Sequence, residues 1–104
     1  MRLASLFVAA VAFAGAAALA APAAKDTVVM DGVAYQPATI TVKRGATVSF
    51  VNKDPYPHSV TSAGNFDSRD IAPGKTWKYT AKKAGRFDYT CTLHPNMKGT
   101  LVVE

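Results

Sequence analysis

The chain is poor in several things, and each shortage excludes a class of protein. Of its 104 residues only one is cysteine and two are histidine, while acidic residues number 7 against 12 basic ones. A lone cysteine excludes an intramolecular disulfide, and it excludes a structural zinc site built from four cysteines or from two cysteines and two histidines. There is no Gly-rich phosphate loop, no HExxH and no serine elbow with triad partners, so hydrolytic and nucleotide chemistry have no seat. No Met-rich or His-rich tract, internal repeat or low-complexity segment is present. The basic residues do not form a stripe interleaved with aromatics, which speaks against nucleic acid.

The one long apolar run is N-terminal. Arg2 supplies a positive start, the run from Leu3 to Leu19 is Ala-rich, and Ala18-Leu19-Ala20 is a small-x-small cleavage signal. Residues 1–20 are therefore expected to be a secretory signal peptide cleaved near Ala20, with no stable membrane insertion afterwards. A short flexible lead-in, 21–26, would precede a single domain over 27–104. Loss of Arg2 lowers the formal net charge from +5 to +4. The remaining domain of about 84 residues is small enough to profit from a staple. A thiol exported to an oxidising compartment needs something to occupy it, and metal ligation is one answer.

After Ala24 no helical periodicity is visible. Gly and Pro punctuate the chain every 8 to 12 residues, and apolar residues alternate between them. Strands are predicted at 27–30, around Ile40 and Val42, at 47–52, 59–62, 75–81 and 86–91, and around Leu101 and Val103. Asp31-Gly32 is read as a turn and 63–74 as loop, with Phe66 and Ile71 tucked inward. Seven to eight short strands with no room for parallel crossovers predict an all-β, antiparallel Greek-key β-sandwich. Phe87, Tyr89 and Cys91 alternate, so a core-facing pair of aromatics also turns the thiol inward.

The segment Cys91-Thr92-Leu93-His94-Pro95-Asn96-Met97 places a thiol, an imidazole and a thioether at three-residue spacing on one tight loop. His58 follows a Pro-rich bend 33 residues upstream. Singly, a buried Cys or Met is usually core filler, and a lone His is usually a satisfied surface residue. Together, two imidazoles, one thiolate and a weak thioether make the ligand set of a blue-copper electron-transfer centre.

The stretches VNKDPYPHSV and FDYTCTLHPNMKGTLVVE resemble the plastocyanin-like cupredoxin family. The short gap between His94 and Met97 resembles its amicyanin-like branch. The resemblance implies a cupredoxin sandwich with one type 1 copper held by His58, Cys91, His94 and Met97. It implies a single-electron carrier in the bacterial periplasm with no turnover of its own, a monomer in transient contact with redox proteins, such as a dehydrogenase donor and a c-type cytochrome acceptor. It further implies an apolar partner patch of Pro55, Leu93, His94 and Pro95, and a hydrogen bond from Asn52 to Thr92 that registers the two ligand loops. The Pro57 carbonyl is expected near the metal. Leu93 stands where the resembled pattern has Pro, so its restored N–H is expected to reach the Cys91 sulfur. Lys53, Lys75, Lys78, Lys82, Lys83, Arg86 and Lys98 are candidates for steering an acidic partner or simply for solubility. Two alternatives use the same residues differently: a protein that buffers or delivers copper, and a metal-free structural sandwich that leaves Cys91 unexplained.

Overall fold

The computed structural model describes residues 26–104; the expected leader over 1–20 and most of the lead-in lie outside the described residues. Nine strands follow in chain order: β1 Thr27–Met30, β2 Tyr35–Gln36, β3 Thr39–Val42, β4 Thr47–Asn52, β5 Thr61–Ser62, β6 Phe66–Asp67, β7 Thr76–Thr80, β8 Gly85–Cys91 and β9 His94–Val103. They form two sheets, β2-β1-β4-β7 and β3-β9-β8-β5-β6, packed as the expected sandwich. Six strands stand where alternation placed them, and β5 lies within the short strand expected at 59–62 after the Pro-rich bend. The other two, β2 and β6, are two residues long, too short to carry a period.

The expectation of wholly antiparallel sheets is corrected. β1 runs parallel to β4, and β3 runs parallel to β9. A parallel pair needs a long crossover when both strands stay in one sheet, usually supplied by a helix. Here the chain instead crosses the sandwich, since β3, in the opposite sheet, lies between β1 and β4 in sequence. The opposite sheet takes the place of the crossover helix.

Alternating burial builds the core. Val28 and Met30 of β1, Val48 and Phe50 of β4, Tyr89 and Cys91 of β8, and Leu101 and Val103 of β9 all point inward. Aromatic contacts close the sandwich along its edges. Phe66 of β6 lies 4.5 Å from Tyr79 of β7, and Tyr35 of β2 meets Tyr89 edge-on at 4.8 Å, centroid to centroid. Such offset and edge-to-face pairs add to simple area burial. Tyr89 is paired directly with Gly99, whose missing side chain is what makes room for the ring: a Cβ there would lie 2.5 Å from Tyr89 Cε1.

The register brings the strand ends that matter to one pole. Met30 is paired with Asn52, so β1 and β4 finish together. Asn52 exchanges backbone bonds with the start of the β7 segment, through Lys75 O at 2.9 Å and Gly74 N at 2.8 Å. Lys82, Lys83 and Arg86 lie at the opposite pole, beyond the Thr47–Thr80 pair.

This packing has two measurable consequences. Gly99→Ala should destabilise the fold by about 1–3 kcal/mol through overpacking against Tyr89, read as a lowered denaturant midpoint with an unchanged slope. Burial pushes the Tyr35 and Tyr89 hydroxyls well above the usual tyrosine range, and neighbouring Cys91 and Tyr89 push Tyr35 further. A phenol held protonated in the fold, but free to ionise near pH 10 once unfolded, stabilises the fold fully below that pH and loses the contribution above it. In a Tyr56→Phe/Tyr79→Phe background, phenolate absorbance should therefore rise only in step with loss of the near-UV circular dichroism. Phenolate formation in a fully folded protein would contradict the burial described.

Candidate metal centre

The arc from Asn52 to His58 is built around buried polar groups. The Asn52 side chain is fully buried; its Nδ2 donates to Tyr56 O and to Ile71 O, both at 2.9 Å, and its Oδ1 accepts from the Asp54 amide at 2.9 Å. These three bonds satisfy the amide and hold the bend, as an Asn in a turn can do because its short side chain imitates backbone. His58 then enters the interior and bridges Ile71 through both backbone groups, at 3.2 and 2.6 Å.

Asp54 is buried as well, at 5% exposure. Its Oδ1 accepts from the Gly32 amide at 2.8 Å, its Oδ2 from the Val33 amide at 2.9 Å, and Oδ2 also lies 2.7 Å from His58 Nε2. The β1–β2 turn aims both amides at one carboxylate because Gly32 and Val33 take positive φ of 67° and 57°. Burial pushes the Asp54 carboxyl up, but the bonds from His58, Val33 and Gly32 outweigh it and hold the group below the usual carboxylate range.

The other half of the site is the end of the β8–β9 hairpin. Cys91 is fully buried and continues the inward alternation from Tyr89. Thr92 and Leu93 turn the chain, and the ladder then shifts: Thr90 pairs with Lys98, but Cys91 pairs with His94. The residues from Pro95 to Met97 are taken up by this irregularity, which turns Met97 inward to 2% exposure while His94 stays half-buried.

The two halves converge. Cys91 Sγ lies 3.7 Å from His58 Nδ1 and 3.7 Å from His94 Nδ1, and all three donor atoms lie within 4.8 Å of one another. A metal bonded at about 2.0 Å to nitrogen and about 2.3 Å to sulfur, with about 120° between the bonds, needs an N···S edge of about 3.7 Å. Both N···S edges observed fit one small ion shared by two nitrogens and one sulfur. The mixed imidazole and thiolate set favours copper over the hard, oxygen-seeking cations.

Two expected contacts are replaced by others. Asn52 does not reach Thr92, because its side chain is consumed by its own arc; Ser59 makes the link instead, its Oγ accepting from the Thr92 amide at 3.0 Å and lying 3.2 Å from Thr92 Oγ1. The amide at the Cys91 sulfur is likewise Ser59 N, at 3.3 Å, and not Leu93, which sits on the turn tip with 47% exposure. Pro57 is exposed beside His58, and no hydrogen bond of its carbonyl is described. Pro55, Leu93 and Pro95 are exposed and His94 is half-buried.

Three residues escaped the sequence reading. Tyr56 is 40% exposed, with its ring 5.6 Å from the rings of both His58 and His94. Ser59 joins the two halves, and Asp54 backs His58. Their only sequence signal was proximity to His58; in Lys53-Asp54-Pro55 an aspartate reads as an ordinary solvated turn residue.

Comparison with known proteins agrees with this geometry. Residues 3–103 match the cupredoxin-like domain family. Amicyanin of Paracoccus versutus is 33% identical over 94 residues, covering 85% of this chain and 71% of that one. Amicyanin-alpha of Methylorubrum extorquens is 31% identical over the full length of both. Among solved structures, the Cu(I) form of an amicyanin mutant superposes with a TM-score of 0.72 at 30% identity, covering 75% of this chain and 80% of that chain. A sandwich that carries two imidazoles and a thiolate at one pole, matched along nearly all of its sequence, places the chain in the cupredoxin-like family, in its plastocyanin-like group and similar to the amicyanins.

Proposed function

We propose that this protein is a periplasmic type 1 copper protein that carries single electrons between larger redox proteins. The observation that carries the proposal is the approach of two imidazole Nδ1 atoms to one buried thiol at equal distances of 3.7 Å. His58, Cys91 and His94 would hold the ion, and Met97, buried at the same hairpin, would add a weak thioether ligand. Bound there, copper would supply a one-electron Cu(II)/Cu(I) couple.

The chain's own residues supply the conditions for that couple. The Ser59 amide donates to the Cys91 sulfur, which withdraws charge from the thiolate and favours the reduced state. The polar bonds of Asn52 and Asp54 hold the His58 arc, so the donor atoms are pre-placed and little rearrangement is required between oxidation states. His94 alone among the three donor residues reaches the surface. Tyr56 and Leu93, the large apolar side chains most exposed among the described residues, flank it. With Pro55 and Pro95 they make a small dry patch suited to transient contact, of the size class below ~1,200 Å². The partners we propose are a dehydrogenase-type donor and a c-type cytochrome acceptor, met by a monomeric carrier. Lys53 and Lys75 lie at this pole and can steer an acidic partner, whereas Lys82, Lys83 and Arg86 lie at the far pole and serve solubility.

Copper buffering or delivery uses the same donors but needs an exchangeable site. Full burial of His58 and Cys91 favours retention instead.

Reconstituted with Cu(II), the protein should show an intense thiolate-to-copper charge-transfer band with narrow hyperfine splitting, and Cys91→Ser should lose both. It should also keep its metal for hours against an excess of a soluble chelator; rapid surrender of the ion would favour the delivery reading. Expressed with its leader in a Gram-negative host, the chain should be recovered from the periplasmic fraction with a new N-terminus near Ala21, read by intact mass. Recovery of the uncut chain with the membranes would instead make residues 1–20 an anchor.

A further inference from the structure

The two imidazoles of the site are supported very differently. Among the described residues, no hydrogen bond is made by His94 Nε2, whereas His58 Nε2 lies 2.7 Å from a buried carboxylate oxygen. We infer that Asp54 is a positioning residue for His58, fixing its tautomer before metal arrives and setting the reduction potential afterwards; the second half of this rests on the copper reading above.

The tautomer follows by elimination. A backbone amide can only donate, and each Asp54 oxygen already accepts one, from Gly32 N and Val33 N. Two donated amides are the environment of an ionised carboxylate, which has no proton to give, so Oδ2 meets His58 Nε2 as an acceptor and Nε2 carries the proton. Nδ1 is left with its lone pair facing Cys91 Sγ, which is the ligating form. The opposite tautomer would put a proton between the nitrogen and the metal position and leave a buried acceptor facing an acceptor.

The cradle under Asp54 is built at a local cost. Val33 is β-branched yet held at a φ of 57°, a conformation such residues rarely adopt. That conformation directs its amide at Asp54 Oδ2. The carboxylate is thus gripped from β1–β2 and applied to a ligand on the arc after β4, so the turn and the arc are coupled through one side chain.

The effect on the couple has a definite sign. A buried anion in contact with a ligating imidazole strengthens that ligand as a donor and offsets the charge of Cu(II) more than that of Cu(I). Asp54 should therefore lower the potential, opposing the Ser59 amide on the sulfur.

The test has two independent arms. In the metal-free wild type, long-range nitrogen-proton NMR of ¹⁵N-histidine-labelled protein should find His58 as the Nε2–H tautomer; a proton on Nδ1 overturns the inference whatever the metal does. In the copper-loaded protein, Asp54→Asn should raise the potential by the equivalent of about tenfold in the Cu(I)-to-Cu(II) affinity ratio, about 59 mV for one electron. A folded variant with an equal or lower potential overturns it. Should the variant fail to fold, the wild-type tautomer decides. A wild type that binds no copper through Cys91 would defeat the proposed function but leave the tautomer result standing.

Discussion

Ser59 is the contact on which the site depends. It follows His58 directly, yet its amide reaches Cys91 Sγ at 3.3 Å and its hydroxyl takes the Thr92 amide at 3.0 Å. The His58 arc and the β8–β9 hairpin are separate segments, and nothing in their covalent connection keeps a thiol and an imidazole at metal-bridging distance. A residue bonded to both does so. Tyr35 reinforces it from the opposite sheet, its hydroxyl donating to Ser59 O at 2.6 Å. Buried polar groups of this kind are costly when unpaired and specifying when paired.

Around that junction the polar network is nearly closed. Asn52 ties the arc to itself and to Ile71, while Asp54 ties it to the β1–β2 turn and to His58 Nε2. Removing water from such groups would be unfavourable one by one, but each has its partner. The sandwich below supplies the rigidity: aromatic rings of both sheets interlock from Tyr35 through Tyr89 and Phe50 to Trp77. A site that must serve two oxidation states gains from resting on strand ends of a packed core, since strand ends move less than free loops.

Much of this was legible without coordinates. Period-two alternation located the six longer strands because each has one buried and one solvated face, and the same alternation turned Cys91 inward. The Cys91, His94 and Met97 spacing announced a metal because those residue types rarely coincide on one short segment. The parallel pairings were illegible, since strand order depends on which sheet each strand joins and alternation is the same in either. β2 and β6 were too short to show a period. The bonds expected from Asn52 to Thr92 and from Leu93 to the sulfur failed for one reason: sequence gives neighbourhood along the chain, while a side-chain bond depends on direction.

Composition and spacing alone determined the all-β class, the inward thiol and the soft side chains gathered on one hairpin, because these rest on local periodicity and on the chemistry of single side chains. Tertiary structure alone decided that His58 lies 3.7 Å from Cys91, that Ser59 rather than Asn52 or Leu93 joins the two loops, and that Asp54 stands behind His58. Those facts belong to contacts between segments 4 to 33 residues apart, whose relative orientation is set by the twist and register of two packed sheets.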